Sequence, residues 1–308
     1  GPIARYGDIS PSLFSERSFE PHDLVFGAQG IAYGLFKKVV VADRCAMVTN
    51  PVFDNISGYN GTVCLGAVVF YTVQLYFEFS GIIDVVSGIG EIFGVSLPLN
   101  FRQPFFSDSI SEFWQRWHIT LGSWLRDYIF YPISLSRPFM KLSKSVRSKF
   151  KAYYAGLIPT AFALFFVWFS NGLWHGASWK YVVYGLYYYI VMMIGLFAEP
   201  LFAKISSKLR INRNSTGFSV FKKFRTGIAV LFGMLIFRAN DLTEAAAVIR
   251  SIFTDFSFSC TPNPNHDACD YEWNAQPLTH VPSHVLLKSD LYVFQELDAD
   301  ARTENDNQ

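Results

Sequence analysis

Apolar runs of near-membrane length, separated by short polar breaks, dominate the first 237 residues. The first long run, Thr62 to Phe79, approaches the roughly 20 residues needed to cover the hydrocarbon core of a bilayer. It continues through Ser80-Gly81-Ile82-Ile83-Asp84 into a second apolar stretch ending near Val95. Residues 157–169, Trp179 to Ala198 and 226–237 are apolar again. Residues 24–48 are apolar but carry Lys37-Lys38 and Asp43-Arg44, which suits a helix that stops at an interface, or a partly inserted one, better than a clean span. Residues 1–23 read as loop and short helix, and 96–107 as a Pro-flanked connection. Residues 108–132 hold three Trp, Arg116, Arg126 and His118, too polar for lipid and suited to an amphipathic helix at the interface or along a cavity. Asp108 or Ser109 can cap that helix, with Glu112 at the third position after Ser109. The fold class that follows is all-α, with several membrane helices.

Composition strengthens that reading. Hydrophobic residues make up 51% and charged residues 17%, against roughly 25% charge in a typical soluble domain. Thirty-one Phe and sixteen Tyr serve both an apolar core and an interfacial belt. The net charge of +1 hides an uneven distribution. Two blocks, 137–151 and 204–225, carry Lys and Arg with no acid. They flank a pair of apolar runs, and a hairpin of two spans returns the chain to the side it left. Both blocks can then face the cytoplasm, with His175 at the far turn. Their expected contact is anionic lipid rather than nucleic acid. Residues 256–308 are polar, Pro-punctuated and acidic at the end, and are expected to be a disordered tail beyond a membrane domain of 1–255.

The cysteines form no CxxC or zinc spacing. Cys45 and Cys64 read as buried thiols; Cys260 and Cys269, in the tail, could pair only in an oxidising compartment. No GxSxG, GxxxxGK[ST] or HExxH pattern is present, so no metal site is expected. Ser87-Gly88-Ile89-Gly90 reads as small-residue helix packing. Acids at membrane depth cost roughly 2.5–3.5 kcal/mol on insertion scales. Glu78 and Asp84 therefore either face a polar cavity or protein partner, or sit at helix ends near headgroups.

Two histidines stand in aromatic, apolar surroundings: His118 in Gln115-Arg116-Trp117-His118-Ile119-Thr120, and His175 in Asn171-Gly172-Leu173-Trp174-His175-Gly176. Either has the chemistry of a general base for a hydroxyl acceptor, and either can equally be a satisfied structural histidine. Acyl transfer also needs a donor to the tetrahedral oxyanion, which Asn171, the amides near Gly172 and Gly176, or the Trp174 indole can supply.

Longer segments carry a resemblance. Gly1-Pro2-Ile3-Ala4-Arg5-Tyr6, the segment Gln74 to Gly81, the stretch Asn100-Phe101 to Pro104, Ser109 to Leu121, Trp124-Leu125-Arg126-Asp127-Tyr128 and Gly172-Leu173-Trp174-His175-Gly176-Ala177 are the carriers. On these the chain resembles the membrane-bound O-acyltransferase (MBOAT) family, in its bacterial polysaccharide (alginate) O-acetyltransferase branch, from Gly1 to about Phe253. The D-alanyl transfer proteins of teichoic acids are similar too. Glu78 stands where the family's YFDFSG element has Asp.

The resemblance implies a funnel-shaped polytopic helical membrane domain in the bacterial cytoplasmic membrane. Its two motif histidines map onto His118 and His175, with His175 the essential one. His118 would orient the donor or acceptor or polarise the carbonyl, while Arg116, Arg126 and Asp127, with Trp117, would support the site. The implied activity moves an acetyl group from a cytoplasmic-side donor, acetyl-CoA or an acyl carrier, to hydroxyls of an exported polysaccharide. No tightly bound cofactor is expected, and the implied partners are extracytoplasmic polysaccharide-modifying proteins. D-alanyl or other acyl transfer, and a non-catalytic scaffold or transporter of the same fold, are the alternatives. The family has further membrane helices upstream of Gly1 and downstream of Phe253, so the chain is read as truncated at its N-terminus and atypical at its C-terminus.

Overall fold

A computed structural model describes residues 2–14 and 20–257, all of them helix, turn or loop. The expected tail at 256–308, with Cys260 and Cys269, lies outside the described residues apart from its first two positions. Four helices are long and apolar enough to cross a membrane: Pro21–Asp54, Gly61–Ile92, Ala152–Trp174 and Trp179–Lys208. The chain is a multi-pass helical membrane protein.

A short α1 (Tyr6–Leu13) precedes the first long rod. That rod is α2 (Pro21–Phe36), a π-helical stretch at Lys37–Ala42, and α3 (Asp43–Asp54), which run on without a break. Pro21 opens it at a position where a missing N–H costs nothing. The sequence reading of a helix halted by its charges is corrected here. Lys37 Nζ reaches Asp84 Oδ2 at 2.5 Å and Lys38 Nζ reaches Glu78 Oε1 at 2.5 Å, so the lysines are neutralised by the neighbouring helix instead of ending their own. Lys38 also pairs with Asp43 at 3.0 Å.

That neighbour, α4 (Gly61–Ile92), is one helix of 32 residues and not two stretches. Asn60 caps it by accepting from the Val63 N–H at 3.0 Å. Glu78 and Asp84 lie within it, away from either end, which decides for partnered acids over headgroup acids. Lipid offers no hydrophobic drive to bring two apolar helices together, so close approach through small residues matters. A Cβ on Gly34 would stand 2.4 Å from the Gly81 carbonyl oxygen, and one on Gly88 2.5 Å from the Gly27 oxygen. Gly88 thus packs helices, as its sequence context suggested.

The chain then crosses a loop to α5 (Ile110–Arg116), α6 (Ile119–Leu125), a π-helical turn at Arg126–Phe130 and α7 (Tyr131–Ser134). The expected single amphipathic helix over 108–132 is therefore broken, at Trp117-His118. Its start is as read: the Ser109 side chain accepts from Glu112 N–H at 3.2 Å, and Glu112 accepts from Asp108 N–H at 2.8 Å. Basic α8 (Arg137–Lys149) leads into α9 (Ala152–Trp174) and α10 (Trp179–Lys208). These two form the expected antiparallel hairpin: Tyr153 and Tyr154 at the start of α9 donate to the carbonyls of Leu196 and Phe197 on α10. The two basic blocks consequently share one end of the hairpin and His175 occupies the other. Helices α11 (Thr216–Arg238) and α12 (Leu242–Thr254) complete the described part. Phe113, Tyr188 and Met234 are fully buried where α5, α10 and α11 meet, and Tyr188 donates to the Val230 carbonyl at 3.1 Å. Cys45 and Cys64 are buried free thiols.

Candidate active site

His118 sits at the break between α5 and α6 with φ 47° and ψ 53°. That left-handed conformation costs a non-glycine residue roughly 1–2 kcal/mol, so neighbouring structure must impose it. A strap at residues 100–103 does so through the backbone. Ile119 N–H donates to the Asn100 carbonyl at 3.0 Å, and Arg102 N–H donates to the Arg116 carbonyl at 2.9 Å. The two bonds grip the chain on either side of His118. The imidazole is 5% exposed. Its Nδ1 lies 3.1 Å from Asn100 Oδ1, and Phe79 meets the ring edge-on at 4.7 Å between centroids.

His175 is placed differently. It is the C-cap of α9, its N–H donating to the Gly172 carbonyl at 3.1 Å. Gly176 follows at φ 143°, a value only glycine adopts freely, and a Cβ there would stand 2.9 Å from the Tyr181 ring. A Cβ on Gly172 would stand 2.5 Å from the Tyr181 carbonyl oxygen, so the start of α10 is pressed against the end of α9. The half-buried His175 ring is held by aromatic contacts: Trp174 at 4.9 Å, Phe237 at 5.1 Å and Tyr184 at 5.7 Å. Among the described residues no hydrogen bond reaches it.

Trp174 joins the two. Its indole lies 5.7 Å from the His118 ring and 4.9 Å from the His175 ring, so residues far apart in sequence meet one aromatic side chain. Burial pushes the His118 imidazole down to about 3, with His175 nearby adding to the fall, and pushes His175 down to about 4. Both rings are neutral at pH 7, the form in which a histidine nitrogen can take a proton.

Asn171 stands four residues before His175, on the same face of α9. It is buried, and its Nδ2 finds no hydrogen-bond partner among the described residues. The other sequence-derived residues stand further out. Trp117 is a core residue, stacked on Phe113 at 5.5 Å and edge-on to Phe101 at 5.1 Å. Arg116 pairs with Glu112 at 2.6 Å. Arg126 pairs with Asp127 at 3.1 Å, and Asp127 also pairs with Arg5. These three hold the segment around His118. Glu78 and Asp84 are spent on Lys38 and Lys37. Sequence reasoning gave Asn100 no role in the site. Its signal was a lone amide between apolar neighbours, in a motif the chain shares with the family.

The fold is that of a polytopic helical membrane protein. The sequence model of the MBOAT, membrane-bound O-acyltransferase family matches residues 1–237, and the chain belongs to that family. It is similar to the probable alginate O-acetylase of Pseudomonas syringae pv. tomato, 32% identical over 254 residues, covering 82% of this chain and 43% of the relative. It is also similar to the peptidoglycan O-acetyltransferase of Helicobacter pylori, 32% identical over 196 residues, covering 63% of this chain and 34% of that one. The teichoic acid D-alanyltransferase of Bacillus subtilis is 29% identical over 242 residues, covering 77% of this chain and 57% of that protein. The chain thus spans less than half the length of the alginate relative it matches.

Proposed function

We propose that this protein is a membrane O-acyltransferase of the bacterial cytoplasmic membrane that moves an acetyl group to hydroxyls of an exported cell-surface polysaccharide. The observation that carries the reading is the pair of imidazoles that both meet the Trp174 indole. His175 acts as the general base. Its free nitrogen takes the proton of the acceptor hydroxyl as the oxygen attacks the thioester carbonyl. The tetrahedral oxyanion accepts a hydrogen bond from Asn171 Nδ2, a buried donor without a partner among the described residues. Collapse breaks the carbon–sulfur bond, and the imidazolium returns its proton to the leaving thiolate. Ester and thiol form, with no net proton change.

Support for acetyl transfer to a polysaccharide comes from the printed activities of the alginate and peptidoglycan relatives. A cytoplasmic thioester, acetyl-CoA or an acyl carrier, fits a hairpin whose basic ends share one side. Extracytoplasmic polysaccharide-modifying proteins are the partners this reading calls for. D-alanyl transfer is the second reading, favoured by the likeness to the teichoic acid enzyme. Mass analysis of cell-surface polymers with and without the protein tests both. Loss of an acetyl-sized substituent supports the first reading, loss of an alanyl-sized one the second. Unchanged polymers would leave the scaffold alternative standing and remove the enzyme.

A further inference from the structure

The hydrogen bonds around Asn100 form a network whose direction is fixed by a backbone N–H. Thr120 Oγ1 lies 3.1 Å from the Ile3 backbone N–H, which can only donate, so the hydroxyl oxygen accepts there. The same hydroxyl lies 3.0 Å from Asn100 Oδ1 and points its own proton at it. The Thr120 backbone N–H, again a donor only, lies 3.1 Å from that same Asn100 atom. The atom is therefore the amide oxygen. A flipped amide would set an NH2 group against a backbone N–H, donor facing donor. Asn100 is 1% exposed, too buried for bulk solvent to relieve such a clash.

The third contact on that oxygen is His118 Nδ1 at 3.1 Å. Facing an acceptor, Nδ1 must carry the proton, which leaves Nε2 of the neutral ring with a lone pair. We infer that Asn100 is a positioning residue that holds His118 in the Nδ1–H tautomer, so that Nε2 accepts a hydrogen bond from the acceptor hydroxyl and cannot polarise the thioester carbonyl. The inference rests on the acyl-transfer reading above and narrows it. His118 orients the polysaccharide hydroxyl for His175, and the carbonyl oxygen is left to the Asn171 amide. It also gives the opening Pro2–Arg5 segment a function. The Ile3 N–H donates to the Thr120 hydroxyl beside Asn100, and the Arg5–Asp127 pair ties the same segment to the turn beyond α6.

The test is nitrogen NMR of purified protein carrying 15N-labelled histidine, read beside acyl-transfer kinetics. The expected spectrum shows the unprotonated, pyridine-type nitrogen of His118 at Nε2; finding it at Nδ1 overturns the inference. Asn100→Ala is expected to mix the tautomers and to lower kcat/KM for the acceptor on the order of 10- to 100-fold, the scale of lost supporting hydrogen bonds. An unchanged tautomer ratio in this variant overturns the inference. Should Asn100→Ala fail to fold, Asn100→Asp keeps an acceptor opposite Nδ1. Its carboxylate favours the imidazolium, so Nε2 stays unprotonated in the neutral ring while the acid limb of the rate profile moves to higher pH. An unmoved limb with an unchanged spectrum counts against it. If Asn100→Ala shifts the tautomer without touching transfer, the tautomer assignment stands and the catalytic use of His118 falls instead.

Discussion

The two histidines occupy opposite kinds of surroundings. His118 is held by a directional network of polar atoms, in a strained backbone conformation, at a helix break. His175 ends a regular helix and is held only by ring faces and edges. A hydrogen-bonded ring has one orientation and one tautomer. A ring packed among aromatics keeps its plane but leaves its nitrogens uncommitted, as a group that must take and return a proton requires.

The contrast can be broken most directly by His175→Ala, expected to lower the transfer rate by about 10²- to 10⁴-fold, the usual worth of a positioned base. His118→Ala should cost less, because an orienting hydrogen bond is smaller than a proton transfer. Equal losses in a quantitative acyl assay would erase the distinction. A smaller effect is expected of Phe237→Ala, which removes a ring 5.1 Å from His175 and none of His118's contacts. Misplacement of a reacting group costs up to about 10²-fold. Transfer should therefore fall while the His118 nitrogen signals stay put, and movement of those signals would show the two environments to be one.

The smallest expected effect is in pH. Burial holds both imidazoles below the ordinary histidine value of 6.5, to about 3 and about 4. Groups whose folded values are depressed stabilise the protein fully above the unfolded value. That contribution fades as pH falls from about 6.5 toward 4 and 3. The acid limb of kcat/KM should accordingly lie below 6.5, and thermal stability should begin to decline only beneath it. A limb at or above 6.5 would mean that one ring is charged in the working protein.

Much of this was legible in the sequence, and the exceptions share a cause. The hairpin of α9 and α10, the Ser109 cap and the glycine packing at Gly88 follow from local rules of length, capping and size. Continuity across Lys37-Lys38 does not, because it depends on acids 47 and 40 residues away on α4. The break at His118 was invisible for the same reason. Nothing in Gln115-Arg116-Trp117-His118-Ile119-Thr120 disfavours a helix, and the left-handed residue is imposed by Asn100 and Arg102 from a separate strap. The role of Asn100 itself emerges only when Thr120 and His118 are brought to one oxygen.

The π-helical stretch at Lys37–Ala42 carries a consequence for how this chain can vary. Such a stretch accommodates an extra residue within a helix, and each residue of an α-helix advances the side chains by about 100°. Without that accommodation the extra residue would turn the whole of α3 by that angle. Cys45, Thr49, Val52 and Phe53 would swing away from the helices they now bury against. Loss of one residue can be absorbed in this stretch by a return to regular α-helix, whereas the same loss elsewhere in α2 or α3 cannot. What the gene has to keep is the phase between the glycines of α2 and the buried face of α3, and not the number of residues between them.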